Sequence, residues 1–218
     1  MFTLLSVHGI AIIMADEQRK QTDSNAPLSE QQGKILLRIA RGTISESLGA
    51  KIPVIEPGVL NAAMTDKALQ VHRGTFVTLT IDGNLRGCIG SLAAVESILE
   101  GVKRNAVNAA FNDPRFKLLT PEEFKNVAIE VSILSEPKPL QYTDSTNLAS
   151  KLRVKVDGVI IRKGSASATF LPQVWAQLPH PELFLNHLCM KAGLSDNAWQ
   201  IGQLEVLTYQ VQYFEEHE

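Results

Sequence analysis

The sequence predicts an α+β fold, built on a mainly antiparallel sheet with flanking helices. Two Asp-Gly pairs, at residues 82–83 and 157–158, lie between runs of β-branched residues and indicate β-hairpins. Helical patterns are interspersed with these strands without a regular strand–helix alternation. A doubly wound nucleotide-binding fold, the alternative, would show that alternation.

The composition is that of an ordinary globular protein. Of the 218 residues, 44% are hydrophobic, and 21 Lys and Arg nearly balance 23 Asp and Glu, giving a formal net charge of -2. This balance provides no general attraction to phosphate backbones and argues against general nucleic-acid binding. Two cysteines do not make a disulfide framework, so Cys88 and Cys189 are expected to be thiols in a reducing, cytoplasmic compartment.

Residues 1–27 are expected to be a poorly ordered N-terminal tail. Residues 1–14 are apolar, and Met14 is a second candidate, beside Met1, for the start of translation. This stretch lacks the basic flank and cleavage site of a signal peptide and is too short to cross a bilayer, so no membrane association is predicted. Residues 15–27 have the polar composition of a solvated segment.

The first half of the domain starts with a helix and a hairpin. A capping box that begins at Ser29, followed by apolar residues at every fourth position, predicts a helix that Gly49 ends. Residues 75–91 alternate around the Asp-Gly-Asn sequence at 82–84 and are predicted to form an antiparallel hairpin.

The middle of the chain continues with helices and a strand. A helix is expected over residues 95–111, because Asp113-Pro114 forbids its continuation. Thr120-Pro121 opens a short helix, and the alternating residues 127–133 predict a half-buried strand in the same sheet as the hairpin.

The C-terminal third is expected to contain a second hairpin, a helix and a last strand. The second Asp-Gly pair predicts a hairpin between residues 154–156 and 159–161. Apolar residues at 184, 188 and 192 mark a helix that Gly193 ends. The last strand, over about 200–213, changes phase and predicts a β-bulge near 206–207.

The common nucleotide, hydrolase and metal motifs are absent from the sequence. There is no Walker-A pattern, no G-x-G-x-x-G after a strand and no G-x-S-x-G. The five histidines lack metal-ligand spacing. The sequence therefore implies no familiar cofactor and no metal site.

The hexapeptide Leu85-Arg-Gly-Cys-Ile-Gly90 is the densest candidate site. On a regular strand, Leu85 and Ile89 share the apolar face and Arg86 and Cys88 share the other. The Cβ atoms of Arg86 and Cys88 would lie roughly 6–7 Å apart, and a guanidinium at that distance favours the thiolate form that a reactive cysteine needs. Gly87 and Gly90 leave the pair unshielded and let another backbone or a ligand approach. The alternative is that Cys88 is a core residue and Arg86 pairs with a structural carboxylate.

Three further residues accompany this pair. Asp113 and Arg115 flank a Pro-fixed turn that either holds a carboxylate and a guanidinium toward a ligand or satisfies itself. Glu130 projects from the polar face of its strand, where it either pairs with Arg86 or is solvated. Cys189 lies on the apolar side of its helix and is expected to be a core residue.

The hexapeptide, preceded by Gly74-Thr-Phe-Val-Thr-Leu79, resembles the signature of the AMMECR family, whose prokaryotic members are often called AmmeMemoRadiSam system protein A. The resemblance continues through Asp113-Pro-Arg-Phe116, Glu130-Val-Ser-Ile-Leu-Ser135 and Thr169-Phe-Leu-Pro-Gln-Val174. It covers residues 28–214 and leaves 215–218 as a C-terminal tail. It implies a large and a smaller subdomain, a cleft near the hexapeptide and, for some members, Memo-like and radical-SAM partners, but no established reaction.

Two functional hypotheses follow. In the first, a binding protein holds the carboxylate or phosphate of a small molecule or a protein partner, with Arg86, Asp113 and Arg115 in the binding cleft. In the second, an enzyme uses Cys88 as nucleophile or thiol ligand and Glu130 or Asp113 as proton acceptor. We favour binding, because the sequence supports a binding cleft more readily than it supports covalent chemistry at Cys88.

Overall fold

The computed structural model of the protein describes residues 25–49 and 55–216. Two four-stranded antiparallel sheets, each with its own helices, form the α+β fold that the sequence predicts. The elements around the first sheet are α1 (Glu30–Ser47), α2 (Pro57–Thr65), β1 (Thr75–Ile81), β2 (Asn84–Ser91), α3 (Ile98–Phe111), α4 (Pro121–Phe124), β3 (Val127–Leu134) and β8 (Val211–Glu215). Those around the second are β4 (Lys138–Pro139), α5 (Ser145–Lys151), β5 (Gly158–Lys163), β6 (Ala166–Phe170), a 3₁₀ turn (Pro172–Ala176), α6 (Pro181–Lys191), α7 (Ala198–Ile201) and β7 (Glu205–Tyr209).

The first sheet has the strand order β2-β1-β3-β8, and α1 and α3 pack on one of its faces. The β1–β2 turn has φ values of 49° at Asp82 and 73° at Gly83. Positive φ at both central residues is the two-residue turn geometry that matches strand twist, and Asp-Gly is a preferred sequence for it. The predicted hairpin, its pairing with the strand at 127–134 and the capped first helix are all confirmed.

The second sheet has the strand order β4-β7-β5-β6 and carries a separate core. In that core the rings of Trp175 and Phe184 stack at 3.7 Å between centroids, and α6 buries Leu188 and Cys189 beside them. The helix ends just before Gly193, whose φ is 76°, as the sequence predicts.

The two sheets meet through their remaining faces. Leu134 of the first sheet packs there with Ile160, Leu207 and Tyr209 of the second. Only Gln210 separates β7 from β8, so one continuous stretch of chain passes from the second sheet to the first. At this crossing the Ser135 N–H donates to the Gln210 carbonyl at 2.8 Å, which ties the two connections together.

The predicted hairpin at 154–161 is wrong. The Asp157 side chain is buried and accepts the N–H and the guanidinium of Arg153, closing a turn that precedes β5. The observed hairpin instead joins β5 to β6 through Gly164 and Ser165. Asp157-Gly158 thus lies at a turn, but residues 154–156 belong to that turn and form no strand, so no hairpin is made there.

The predicted bulge near 206–207 is also wrong. Residues 198–201 are helical, and β7 and β8 are two strands in different sheets. Val206 and Leu207 are both buried because the two faces of the second sheet are both covered: Val206 lies in the second core and Leu207 lies between the sheets. The change of phase in the sequence records this double burial and not an inserted residue.

Both ends of the described chain make specific contacts. Residues 1–24 lie outside the described residues, but the Asn25 side chain accepts the N–H of Glu136 at 2.7 Å. At the C-terminus β8 runs through Glu215, and Glu216 pairs with the guanidinium of Arg41, so ordered structure continues past residue 214. Among residues 25–49 and 55–216, no helix combines the length and apolar character needed to cross a bilayer.

Candidate functional site

A β-bulge in β2 changes the expected geometry of the hexapeptide. In the ladder with β1, Thr78 pairs with Cys88 and Thr80 pairs with Leu85, so one extra residue, Arg86, lies between regular pairs. Leu85 therefore shares the face of Cys88 and is 44% exposed, while Ile89 packs on the first core. The expectation that Arg86 and Cys88 share one face fails because the bulge breaks the alternation.

Arg86 is bound to the short helix α4. Its Nε donates to Glu123 Oε1 at 3.0 Å and its Nη2 donates to the Lys117 carbonyl at 2.9 Å. The bound guanidinium lowers the pKa of Glu123 to about 2, and the N–H and hydroxyl of Thr120 in the capping box add to this effect. The side chain is only 12% exposed. This pairing with a structural carboxylate is the alternative that the sequence left open.

Asp113 and Arg115 bind the edge of β2. Asp113 accepts the Cys88 N–H at 2.9 Å, and Arg115 donates to the Cys88 carbonyl at 3.3 Å. The two side chains also pair through Arg115 Nε at 2.9 Å and Arg115 Nη2 at 2.7 Å. The hydrogen bond from Arg115 holds the pKa of the Asp113 carboxyl far below its usual range, although burial opposes this shift.

The Cys88 side chain is half-buried on the sheet face opposite α1 and α3, where it accepts a hydrogen bond from the Thr78 hydroxyl at 3.4 Å. The guanidinium of Arg115 contacts the backbone of this cysteine, donating to the Cys88 carbonyl. Glu130 lies on the far side of β1, opposite Thr78, and accepts from the Ser132 hydroxyl at 3.0 Å. Two strand spacings of about 4.8 Å separate it from Cys88, which is too far for direct proton transfer.

The two glycines of the hexapeptide allow close packing within the protein. A Cβ on Gly87 would lie 2.2 Å from the Ala109 carbonyl oxygen of α3, and one on Gly90 would lie 2.2 Å from the Phe76 ring. Both positions are therefore filled by helix backbone or aromatic ring. The sequence left open whether a backbone or a ligand approaches these glycines; at Gly87 it is the backbone of α3, and at Gly90 it is the Phe76 ring.

A cleft of about 880 Å³ lies where the two sheets diverge. From the first half of the chain it takes the segment before β1, the residues that follow β2 and the end of β3; from the second sheet it takes β5, β6 and β7. The residues that line the cleft include His72, Arg73, Leu92, Leu134, Ser135, Glu136, Ile160, Arg162, Ser167, Thr169 and Leu207. None of the five residues selected from the sequence lines it, but Leu92–Ala94 follow the hexapeptide strand directly.

Comparison with known proteins identifies the family. The family model AMMECR1 matches residues 37–214, which is most of the chain. The chain belongs to the AMMECR1 family. It is 38% identical to a protein of Methanothermobacter thermautotrophicus over 195 residues, covering 88% of this chain and 97% of that protein.

Other AMMECR1 relatives extend this picture. A protein of Thermofilum pendens is 38% identical over 204 residues, covering 87% of this chain and 92% of its own length. The crystal structure of an uncharacterized protein from Pyrococcus horikoshii superposes with a TM-score of 0.72 at 32% identity, over 87% of this chain and 94% of that one. The family resemblance inferred from the hexapeptide is thus confirmed, and the two-sheet architecture is shared with a solved structure.

Sequence reasoning found the hexapeptide of this AMMECR1 domain and expected a cleft near it, but it did not select the residues that line the cleft. The cleft is assembled from separate segments spread between Val71 and Leu207, and no local motif connects them. One weak indication was present: Arg162 follows the apolar run Val159–Ile161, and pairs in register with Ser167 on the next strand. The buried Cys189 is as expected, and burial raises the pKa of its thiol.

Proposed function

We propose that the protein binds an anionic group, on a small molecule or on a protein partner, in the cleft between its two sheets. The observation that carries this proposal is the combination of an 880 Å³ cleft with arginines on both of its walls. Arg162 is exposed on one wall, whereas Arg73 is buried in the other wall, where it donates to the carbonyls of Leu134 and Ala26 and adds positive charge. Glu136 is the acidic residue of the lining. Binding pockets commonly combine apolar walls with a few convergent polar groups, as Leu134 and Ile160 do here with these arginines.

Arg162 is the side chain best placed to take the anion. It is 49% exposed, and its ion pair with Glu205 is made at 3.2 Å between two exposed groups. Such surface pairs contribute little, so an incoming anion can compete for the guanidinium at small cost. On the same face of the second sheet, Ser167 lies across the ladder from Arg162 and Thr169 lies across from Ile160.

In this proposal the hexapeptide holds one wall of the cleft in position and does not bind the anion itself. Cys88 is tied to Asp113 and Arg115 by its backbone, and Phe76 covers Gly90 on the face that turns toward the second sheet. The strand then leads directly into Leu92, which lines the cleft. We therefore assign Arg86, Asp113 and Arg115 to holding β2, and through it one wall of the cleft, in position.

Catalysis by Cys88 receives less support from the geometry. The two proposed proton acceptors are poorly suited to it: Glu130 lies on the other side of β1, and Asp113 is a buried, strongly acidic carboxyl engaged by Cys88 and Arg115. A general base must reach the proton it abstracts, directly or through one water. Binding therefore remains the function that we propose.

The resemblance of the hexapeptide to the AmmeMemoRadiSam type supports one finer inference. We infer that the cleft acts in a pathway shared with Memo-like and radical-SAM proteins. Deletion of the gene should then change the same metabolites as deletion of a Memo-like gene in the same organism, measured by untargeted mass spectrometry. Unrelated metabolite changes in the two strains would contradict the shared pathway.

A panel of small carboxylates and phosphates, screened by thermal shift, tests the binding proposal. At least one anion should raise the melting temperature of the natural protein and of Arg38→Met, a control in which an exposed arginine on α1 is replaced. The same anion should have no effect on Arg162→Met. An unchanged shift in Arg162→Met, or no shift with any anion of the panel, would overturn the proposal.

A further inference from the structure

The edge of β6 inside the cleft carries backbone groups that point away from its sheet. Gly164 and Ser165 form a two-residue turn, so the flanking residues Lys163 and Ala166 are a hydrogen-bonded pair of the ladder. Hydrogen-bonded and non-hydrogen-bonded pairs alternate along an antiparallel ladder. Ser167 and Thr169 therefore direct their N–H and C=O groups outward.

One contact supports this assignment. The Thr169 carbonyl, which the alternation places on the outer side, accepts the ammonium group of Lys191 at 3.0 Å. The N–H and C=O of Ser167 and the N–H of Thr169 have no protein partner among the residues that the structure describes. Ser167 is exposed and borders the cleft.

The other sheet edges of the described chain are protected. Asp113 and Arg115 take the outward groups of Cys88 on β2. The Gln212 side chain on β8 makes two hydrogen bonds with the backbone of Leu28, at 2.8 and 2.7 Å. The β4 edge has two residues, one of them Pro139. Natural proteins protect exposed edges in these ways, because an open edge pairs with other strands.

We propose that β6 is a strand-addition site, and that its occupant is an extended acidic peptide segment of a partner protein. An extended polypeptide backbone supplies, at strand spacing, acceptors for the N–H groups of Ser167 and Thr169 and a donor for the Ser167 carbonyl. This inference rests on the proposed function, since the anionic group in the cleft would be carried by that peptide.

The charges and the register of the cleft specify the peptide further. Arg162 pairs with Ser167 and Ile160 pairs with Thr169 across the β5–β6 ladder. An added strand would extend both rows, so its two cleft-facing residues are two positions apart. The one beside the Arg162 row is acidic, and the one beside the Ile160 row is apolar and packs toward Leu134 and Leu207.

A phage-displayed library of random dodecapeptides, panned on the full chain, tests this proposal. Enriched peptides should carry an acidic and an apolar residue two positions apart. Their affinity should fall by about tenfold or more in Ser167→Pro, which removes one outward N–H and leaves the β5–β6 hydrogen bonds in place. The matched variant Ser167→Ala keeps that N–H and should bind like the natural protein.

Two results would overturn the proposal: no enrichment above an unrelated control protein, or equal binding by Ser167→Pro and the natural protein at unchanged melting temperature. Hydrogen exchange gives an independent readout, since a bound peptide should slow exchange of the Thr169 N–H. A failure of the proposed function can be distinguished from a failure of the strand-addition proposal. Loss of small-anion binding in Arg162→Met tests the cleft, whereas Ser167→Pro should still bind the small anion.

Discussion

Asp113 accepts the backbone N–H of Cys88 at 2.9 Å, and in doing so its carboxylate takes the place that a neighbouring strand would occupy. Arg115 completes the substitution by donating to the Cys88 carbonyl at 3.3 Å. An ion pair between the buried Asp113 carboxylate and the exposed Arg115 guanidinium thus satisfies the edge of β2 at Cys88. This explains why residues 25 positions apart in sequence belong to one structural feature.

We expect Asp113→Asn to lower the free energy of unfolding by about 2 kcal/mol. The amide keeps the shape of the side chain but places an NH₂ group against either the Cys88 N–H or the Arg115 guanidinium, which leaves a buried donor without an acceptor. Urea unfolding measures the change. Asp196→Asn, at an exposed aspartate, is the matched control and should lie within about 0.5 kcal/mol of the natural protein. Equal effects of the two changes would contradict this account of the edge.

Acid should destabilise the protein through the same groups. The folded-state pKa values of Asp113 and Glu123 lie below their ordinary values because Arg115 and Arg86, respectively, bind the ionised forms. A lowered folded-state pKa gives stability that is present above the ordinary pKa and is lost as the pH falls through the folded-state value. For Glu123 this window runs from about 4.5 down to about 2.

The measurement is the free energy of unfolding at several pH values between 6 and 2. Asp113→Asn and Glu123→Gln should each flatten the curve over this range relative to the natural protein, because each removes one group that must be protonated. Asp196→Asn should leave the slope unchanged. A natural protein whose stability is constant down to pH 2 would contradict the assigned pairings.

Gly87→Ala should destabilise the protein by at least about 2 kcal/mol. The new Cβ would lie 2.2 Å from the Ala109 carbonyl oxygen, so α3 or β2 must move, and overpacking of this kind costs about 1–3 kcal/mol or more. Gly58→Ala in α2 is the control, since nothing lies within 4 Å of its added Cβ. Thermal unfolding of both variants checks the prediction, and a Gly87→Ala protein as stable as Gly58→Ala would show that the two elements are not in close contact.

Local chemistry in the sequence predicted most of the fold. Ser29 and Thr120 cap their helices by hydrogen bonds within three residues, and the turn at Asp82-Gly83 depends on two residues alone. The hairpin predicted at Asp157 is not formed, because the Asp157 carboxylate binds Arg153 in a local turn that precedes β5.

The site could be predicted only in part, because its geometry depends on pairing between distant segments. The side chain of Arg86 was expected beside Cys88. A bulge at Arg86, which was not predicted, directs it to Glu123. The cleft combines His72 with Thr169, residues that only the packing of two sheets brings together. Such relationships are properties of the tertiary structure and not of any sequence window.

The final prediction concerns the reactivity of the two thiols. Cys88 is half-buried, whereas Cys189 is fully buried and its pKa is raised by burial. The thiolate is the species that reacts with iodoacetamide, so Cys88 should be labelled in the native protein and Cys189 only after unfolding. Mass spectrometry of tryptic peptides distinguishes the two sites.

Two variants then identify the guanidinium that acts on Cys88. Arg115 donates to the Cys88 carbonyl at 3.3 Å, while Arg86 is engaged by Glu123. Arg115→Gln should therefore slow the labelling of Cys88, and Arg86→Gln should not, provided that slow exchange of the Cys88 N–H shows an intact β2 edge in both variants. The sequence alone predicted a larger effect of the Arg86 substitution, because a regular strand would place Arg86 beside the thiol. If Arg86→Gln slows labelling more than Arg115→Gln does, Arg86 lies beside the thiol, and the bulge does not separate the two side chains as described.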